Sequence, residues 1–88
     1  MSNGSVNHIG IATHSLDASE SIWQTLGFSP TKDEIMKEQG VKIRYLKGEG
    51  ETKIELLEPL SDNSPIGKFL SKQGPGIQQI AINISDLD

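Results

Sequence analysis

The sequence contains no cysteine, so it can form neither a disulfide framework nor a metal site built on thiolates. Basic residues are scarce, with 8 Lys and Arg against 12 Asp and Glu, and the resulting net charge of -4 argues against a nucleic-acid-binding surface. No apolar run reaches the length of a signal peptide or a membrane span. These absences predict a cytoplasmic protein whose partners include neither nucleic acids nor membranes.

Large apolar side chains are also few. Only 34% of the 88 residues are hydrophobic, and the aromatic residues are one Trp, one Tyr and two Phe. A chain of this length is close to the lower limit at which one hydrophobic core holds a fold. We therefore expect a single domain over residues 1–88 that gains stability by self-association, as a homodimer or a higher homo-oligomer.

Residues 6–12 alternate as a strand with two different faces. The two isoleucines point to one side, whereas His8 and two small residues, Gly10 and Ala12, point to the other. A face that combines small residues with one imidazole is typical of a cleft lining.

Two helices are predicted from the signals at their ends. Asp17 and Glu20 have the spacing of a capping box, which predicts a helix that begins near Ala18 and is capped at Gly27. Its buried side is expected to carry Ala18, Ile22, Trp23 and Leu26. A Ser-Pro pair then begins a second helix, which links two parts of the chain over residues 64–74.

Four further segments have strand patterns. Segment 28–35 is predicted as a weak edge strand because a proline interrupts it. Segments 41–46 and 53–58 form a hairpin around a Gly-rich turn, and Glu55 faces away from its isoleucine and leucine neighbours. The last strand, 77–84, places three isoleucines on one face and polar or small residues on the other.

The chain contains an internal repeat. Residues 7–12 align without gaps with residues 78–83, and the Leu-Asp pair at position 16 aligns with the Leu-Asp pair at position 87. Each unit of such a repeat buries its apolar face only against a neighbour. We therefore interpret residues 6–58 as one βαβββ module and residues 77–84 as the first strand of a second, truncated module. Chance similarity between two amphipathic strands is the alternative interpretation.

Four segments together resemble the methylmalonyl-CoA epimerases: VNHIGIATHSLDAS, EQGVKIRYL, ETKIELLEPL and SPIGKFLSKQGPGIQQIAINISDLD. That family belongs to the vicinal oxygen chelate superfamily, together with glyoxalase I and the bleomycin-resistance proteins. The resemblance implies an α+β, glyoxalase-like fold in which two βαβββ modules pair around a metal-centred cleft. It also implies an acyl-CoA substrate, a divalent metal that chelates adjacent substrate oxygens, and a carboxylate that moves the proton on the neighbouring carbon.

The resemblance also assigns residues to the site. His8 falls on the metal-binding histidine of the first strand, and Glu55 falls on the metal ligand of the fourth strand. Gln79 falls on the second metal histidine, where the family usually reads His-His. The family's proposed catalytic base falls at Ile43, so that base is missing from this sequence. Glu55 is our candidate for the catalytic carboxylate. These ligand types are compatible with cobalt, manganese, nickel or zinc, so they do not identify the metal.

The residues alone leave the function open. A single histidine in a strand, such as His8, is also typical of a surface position, and Gln79 is also typical of a polar residue that lines a cleft without binding metal. One alternative function is therefore a non-catalytic small-molecule-binding protein, as in the bleomycin-resistance proteins. Another is a truncated copy whose remaining function is dimerisation.

A homodimer offers one way to complete the metal site. Two copies related by a twofold axis would bring His8 and Glu55 of both chains together, which would give two imidazoles and two carboxylates around one ion. The same association would cover open edges of the sheet.

Overall fold

The computed structural model describes residues 4–84, and their strands form one mixed sheet with a helix against each face. The elements in chain order are β1 (Gly4–Ala12), α1 (Leu16–Thr25), β2 (Ser29–Met36), β3 (Val41–Lys47), β4 (Lys53–Pro59), α2 (Pro65–Gln73) and β5 (Gly76–Ile84). The first five elements have the predicted βαβββ order, and the α+β class is confirmed.

Across the sheet the strands are ordered β2-β3-β4-β1-β5. β1 is parallel to β4 and antiparallel to β5, and the remaining neighbours are antiparallel. β2 lies at an edge of the described sheet, as predicted, where its proline is tolerated. Because β1 and β4 are neighbours, residues distant in sequence come together, and Gly10 lies opposite Glu55.

The two faces of the sheet carry separate apolar cores. The α1 face is packed around four buried residues, Leu16, Leu46, Ile54 and Leu56, with Ile9 and Ile11 against them. The α2 face is packed around six others, Ala12, Val41, Ile43, Leu57, Ile66 and Leu70. The alternation predicted for β1, β3 and β4 is thus confirmed, and it places His8 and Glu55 on the α2 face.

The start of α1 differs from the prediction. Ser15, in an extended conformation, is the N-cap, and its hydroxyl oxygen accepts a hydrogen bond from the backbone N–H of Ala18. Asp17 lies inside the first turn instead of at the cap. The helix therefore begins two residues early, and its buried residue is Leu16. Ile22 and Leu26, expected in the core, are 65% and 63% exposed.

The other helix ends follow the sequence signals. Gly27, after the last turn of α1, has a φ of 95°, a left-handed conformation that glycine adopts without steric cost. The Ser64 hydroxyl caps α2 by accepting from the backbone N–H of Gly67, and Pro65 follows at the first helical position. Within residues 4–84, neither helix has the length and hydropathy needed to cross a membrane.

Arg44 joins α1, β2 and β3 on the α1 face. Its guanidinium donates to both carboxylate oxygens of Asp33, at 2.8 and 2.9 Å, and also to Asp17 at 2.7 Å and Glu20 at 3.1 Å. Its side chain is only 14% exposed. The hydrogen bonds from Arg44, aided by the charges of Arg44 and Lys42, lower the pKa of Asp33 below its ordinary value of 3.8, against a smaller effect of burial.

We expect acid to weaken this contact. Because folding lowers the pKa of Asp33, its contribution to stability is fully present above pH 3.8 and is lost as the pH falls through the lower folded-state value. Asp33 is 36% exposed, so the loss should be about 1 kcal/mol or less. Urea unfolding between neutral pH and about pH 2 should show a smaller acid-induced decrease in Asp33→Asn than in the wild type. Asp62→Asn, in an exposed loop, is the matched control, and an equal acid response in both variants would contradict the expectation.

β5 pairs along the side of β1 that faces away from β4. The two strands of the repeat are thereby related by a local twofold axis, as expected if β5 opens a second module. Leu87 and Asp88, the other half of the predicted repeat, lie outside the described residues.

The pairing of β5 with β1 contradicts the prediction that two copies share one metal ion through His8 and Glu55 of both chains. β5 occupies the edge of β1 that a second copy would need in order to bring its own His8 into the same site. If two copies met through β5, their β1 strands would be about 14 Å apart, or three strand spacings. One ion cannot take ligands from both His8 side chains across that distance. A homodimer remains a prediction, without a metal site shared in this way.

Candidate active site

The three side chains assigned from the sequence lie around one cavity. His8 on β1, Glu55 on β4 and Gln79 on β5 all line a cavity of about 470 Å³ on the α2 face. Its apolar end is formed by β3 and the start of α2, including Ile43 and Ile66. The cavity therefore combines a polar region with an apolar wall, as small-molecule sites do.

His8 lies at the centre of the polar region. Its Nε2 atom is 3.5 Å from Oε2 of Glu55 and 3.4 Å from Nε2 of Gln79. The side chains of His8 and Glu55 are 22% and 14% exposed, so both are accessible from the cavity but largely shielded from bulk water. The structure thus brings together the imidazole, the carboxylate and the amide that the sequence singles out.

Gly10 makes room for the Gln79 side chain. The two residues are opposite each other in the β1–β5 pair. A Cβ atom at position 10 would lie 2.7 Å from Cγ of Gln79 and 3.2 Å from Cδ1 of Leu57, both closer than side chains normally approach. Because glycine has no side chain, Gln79 can lie across β1 towards His8.

Asn7 is a site residue that the sequence analysis missed. Its Oδ1 atom lies 2.8 Å from Nδ1 of His8. Consecutive residues of a regular strand point to opposite faces, so alternation gives no indication that these two side chains meet. An irregularity in the β1–β5 ladder between Val6 and His8 makes the contact possible.

Tyr45 is a second missed residue. It lines the cavity, its Cα pairs with that of Glu55, and its hydroxyl donates a 2.7 Å hydrogen bond to Oε1 of Glu34. That hydrogen bond, with burial and the negative charges of Glu34 and Glu55, raises the pKa of Tyr45 to about 12. Tyr45 therefore keeps its proton at neutral pH. The sequence did not reveal this residue because Tyr45 shares one face of β3 with Val41 and Ile43, which is the pattern of a core position.

Ile43 occupies the β3 position at which the resemblance places a catalytic base. Its side chain is 5% exposed and belongs to the apolar core of the α2 face, while it also lines the cavity. The structure therefore places an apolar wall where a carboxylate is expected. Glu55 remains the most buried carboxylate beside His8.

The side chains at the polar end of the cavity include ligand types that divalent metal ions accept. Within residues 4–84, no three His, Cys, Asp or Glu side chains form a metal-binding group. His8 and Glu55 converge, however, and Gln79 supplies an amide beside them as a third donor. Imidazole, carboxylate and amide oxygen are all accepted ligands of divalent metals, and three protein ligands are the usual number at a catalytic zinc site. His8 and Glu55 therefore fit such an ion, and Gln79 fits as a third ligand when its amide oxygen faces the ion in place of the nitrogen that lies 3.4 Å from Nε2 of His8.

Comparison with protein families gives a match over nearly the whole chain. The Glyoxalase/Bleomycin resistance protein/Dioxygenase superfamily matches residues 7–88. Among curated relatives, the mitochondrial methylmalonyl-CoA epimerase of Dictyostelium discoideum is 35% identical over 86 residues, which cover 96% of this chain and 51% of the relative. The chain spans about half the length of the curated relatives that it matches first.

Solved structures show the same similarity. The methylmalonyl-CoA epimerase of Mycobacterium tuberculosis is 42% identical with a TM-score of 0.82, over 93% of this chain and 56% of that chain. A methylmalonyl-CoA epimerase in complex with methylmalonyl-CoA and NH4+ is 40% identical with a TM-score of 0.80, over 93% of this chain and 61% of that chain. The fold that positions His8, Glu55 and Gln79 is thus similar to part of the fold of these epimerases.

Proposed function

Because the chain belongs to the glyoxalase, bleomycin-resistance protein and dioxygenase superfamily, we propose that its cavity supports epimerase chemistry on an acyl-CoA of the methylmalonyl-CoA type. The reaction is a metal-assisted proton transfer at the carbon alpha to the thioester, which would make the protein an isomerase. The observation that carries the proposal is the convergence of His8, Glu55 and Gln79 in one cavity. The similar epimerases, one of them solved with methylmalonyl-CoA, support the substrate class.

Each of the three residues has a role in this proposal. His8, Gln79 and one carboxylate oxygen of Glu55 would hold the ion. When bound, a divalent ion polarises the thioester carbonyl and makes the α-proton more acidic. The second carboxylate oxygen of Glu55 would accept the α-proton as a general base, and the configuration inverts when the opposite face of that carbon takes a proton from water. Tyr45 contributes its ring to the wall of the same cavity, since its hydroxyl already donates its one hydrogen to Glu34.

A second candidate function is binding without catalysis. It is favoured by Ile43, which places an apolar side chain where the resemblance requires a base. In that case the cavity would hold a small molecule between its apolar wall and its polar region, as in bleomycin-resistance proteins. Dimerisation alone is the third alternative, and a homodimer and a cytoplasmic location remain predictions.

The proposed function is tested by deuterium exchange. Full-length protein supplied with Co²⁺ or Zn²⁺ should exchange the α-proton of methylmalonyl-CoA in heavy water faster than the metal alone. His8→Ala should remove this acceleration because it removes the central ligand, whereas His14→Ala, at an exposed turn outside the cavity, should retain it. Binding of methylmalonyl-CoA in calorimetry without accelerated exchange would favour the binding protein. Failure of both binding and exchange would exclude both functions for this substrate.

A further inference from the structure

β1 contains one residue more than β5 beside the candidate site. Val6 pairs with Ile82 and His8 pairs with Ala81, so Asn7 has no partner in the β1–β5 ladder. This arrangement is a β-bulge, an irregularity that redirects side chains and is common next to active sites. It explains how Asn7 Oδ1 can reach Nδ1 of the adjacent His8 at 2.8 Å.

The two amides that contact His8 require one form of its ring. The amide oxygen of Asn7 can only accept, so Nδ1 of His8 carries the hydrogen and donates it. The amide nitrogen of Gln79 can only donate, so Nε2 of His8, 3.4 Å away, presents its lone pair. A ring hydrogen on Nδ1 satisfies both amide contacts, whereas the carboxylate of Glu55, 3.5 Å from Nε2, favours a hydrogen there, so the 2.8 Å contact with Asn7 decides between the two tautomers.

We propose that Asn7 is a positioning residue, which fixes the tautomer of His8 so that the Nε2 lone pair faces Glu55 and Gln79. A histidine that binds a metal or accepts a proton through Nε2 needs that lone pair directed into the site. Asn7 does not line the cavity and acts only through His8. The inference deepens the proposed function and rests on it only where metal binding is concerned.

The tautomer is observable without metal, substrate or activity. Long-range ¹H–¹⁵N NMR in alkaline buffer, where imidazoles are neutral, distinguishes a ring nitrogen that bears hydrogen from one that does not. The chain has only two histidines, so His14→Gln assigns the spectrum, and the exposed His14 is an internal reference for a solvated ring. We expect His8 of the wild type to carry its hydrogen on Nδ1.

Variants at position 7 separate positioning from a structural role. Asn7→Ala should shift His8 towards the mixture of tautomers seen for His14, whereas Asn7→Asp, whose carboxylate also accepts a hydrogen bond, should keep the hydrogen on Nδ1. Asn83→Ala, an exposed asparagine on β5, is the matched control and should leave His8 unchanged. A hydrogen on Nε2 of His8 in the wild type, or an unchanged tautomer in a folded Asn7→Ala, would overturn the proposal.

Metal binding gives a second, independent readout. Calorimetry with Zn²⁺ alone should show affinity about 10- to 100-fold weaker for Asn7→Ala than for the wild type, with affinity largely restored in Asn7→Asp. A wild type that binds no Zn²⁺ would count against the proposed metal-assisted function. The NMR result would still decide the role of Asn7, so the two failures are distinguishable.

Discussion

Alanine at position 67 is expected to lower the free energy of unfolding by about 3 kcal/mol, the upper end of the usual cost of overpacking. Gly67 is buried in α2, where a Cβ atom would lie 2.5 Å from the carbonyl oxygen of Ser61 and 2.7 Å from that of Asp62. These are backbone atoms, so they cannot rotate away as a flexible side chain could. In an open helix the same change usually stabilises by about 1 kcal/mol, so the contact reverses the sign.

Urea unfolding monitored by circular dichroism measures this effect. Gly50→Ala is the matched control, because Gly50 lies in the turn between β3 and β4 with no atom within 4 Å of the added Cβ. We expect the control to change stability by less than about 0.5 kcal/mol. Equal stabilities of the two variants would mean that the loop before α2 moves aside at little cost, contrary to the packing described.

Replacing Glu55 with glutamine is expected to reduce metal-dependent α-proton exchange by about 10²- to 10⁴-fold, the usual effect of a general acid–base group. Glutamine preserves the size of the side chain and an oxygen that can bind metal, but it cannot accept the α-proton. Exchange of methylmalonyl-CoA in heavy water gives the rate, and calorimetry gives substrate affinity. We expect the rate to fall while affinity changes little.

Glu38→Gln is the matched control because Glu38 lines the same cavity and is exposed. It should retain exchange close to that of the wild type. If exchange were lost in Glu38→Gln and kept in Glu55→Gln, the proton-transfer role would belong to Glu38 instead. If both variants kept full exchange, neither carboxylate would move the proton.

Much of the architecture follows from local patterns in the chain. Alternation predicts that His8 and Glu55 each face away from the apolar residues beside them in their strands, and the structure has both on the same side of the sheet. Ser64 predicts where α2 begins and Gly27 predicts where α1 ends, and the structure has both helix ends at these residues. These features depend on residues close together in sequence, which is why they can be predicted.

What could not be predicted depends on contacts between distant segments. Ser15 replaces Asp17 as the helix cap while the next backbone N–H, of Leu16, donates to Oε1 of Glu58, a contact across 42 positions. The Tyr45–Glu34 hydrogen bond depends on how β2 pairs with β3. The contact between Asn7 and His8 needs a bulge, which no periodic pattern encodes.

The β1–β5 ladder contains two irregularities, and they cancel. Beyond the extra residue in β1, β5 carries an extra residue of its own, Gln78, because Gly10 pairs with Gln79 but Ile11 pairs with Ile77. The register after the second irregularity is therefore the same as before the first. Deleting only one of the two residues would leave part of the ladder out of phase and turn its isoleucines to the wrong side. The lengths of two segments seventy positions apart are thus coupled, and homologous sequences should gain or lose residues here in compensating pairs.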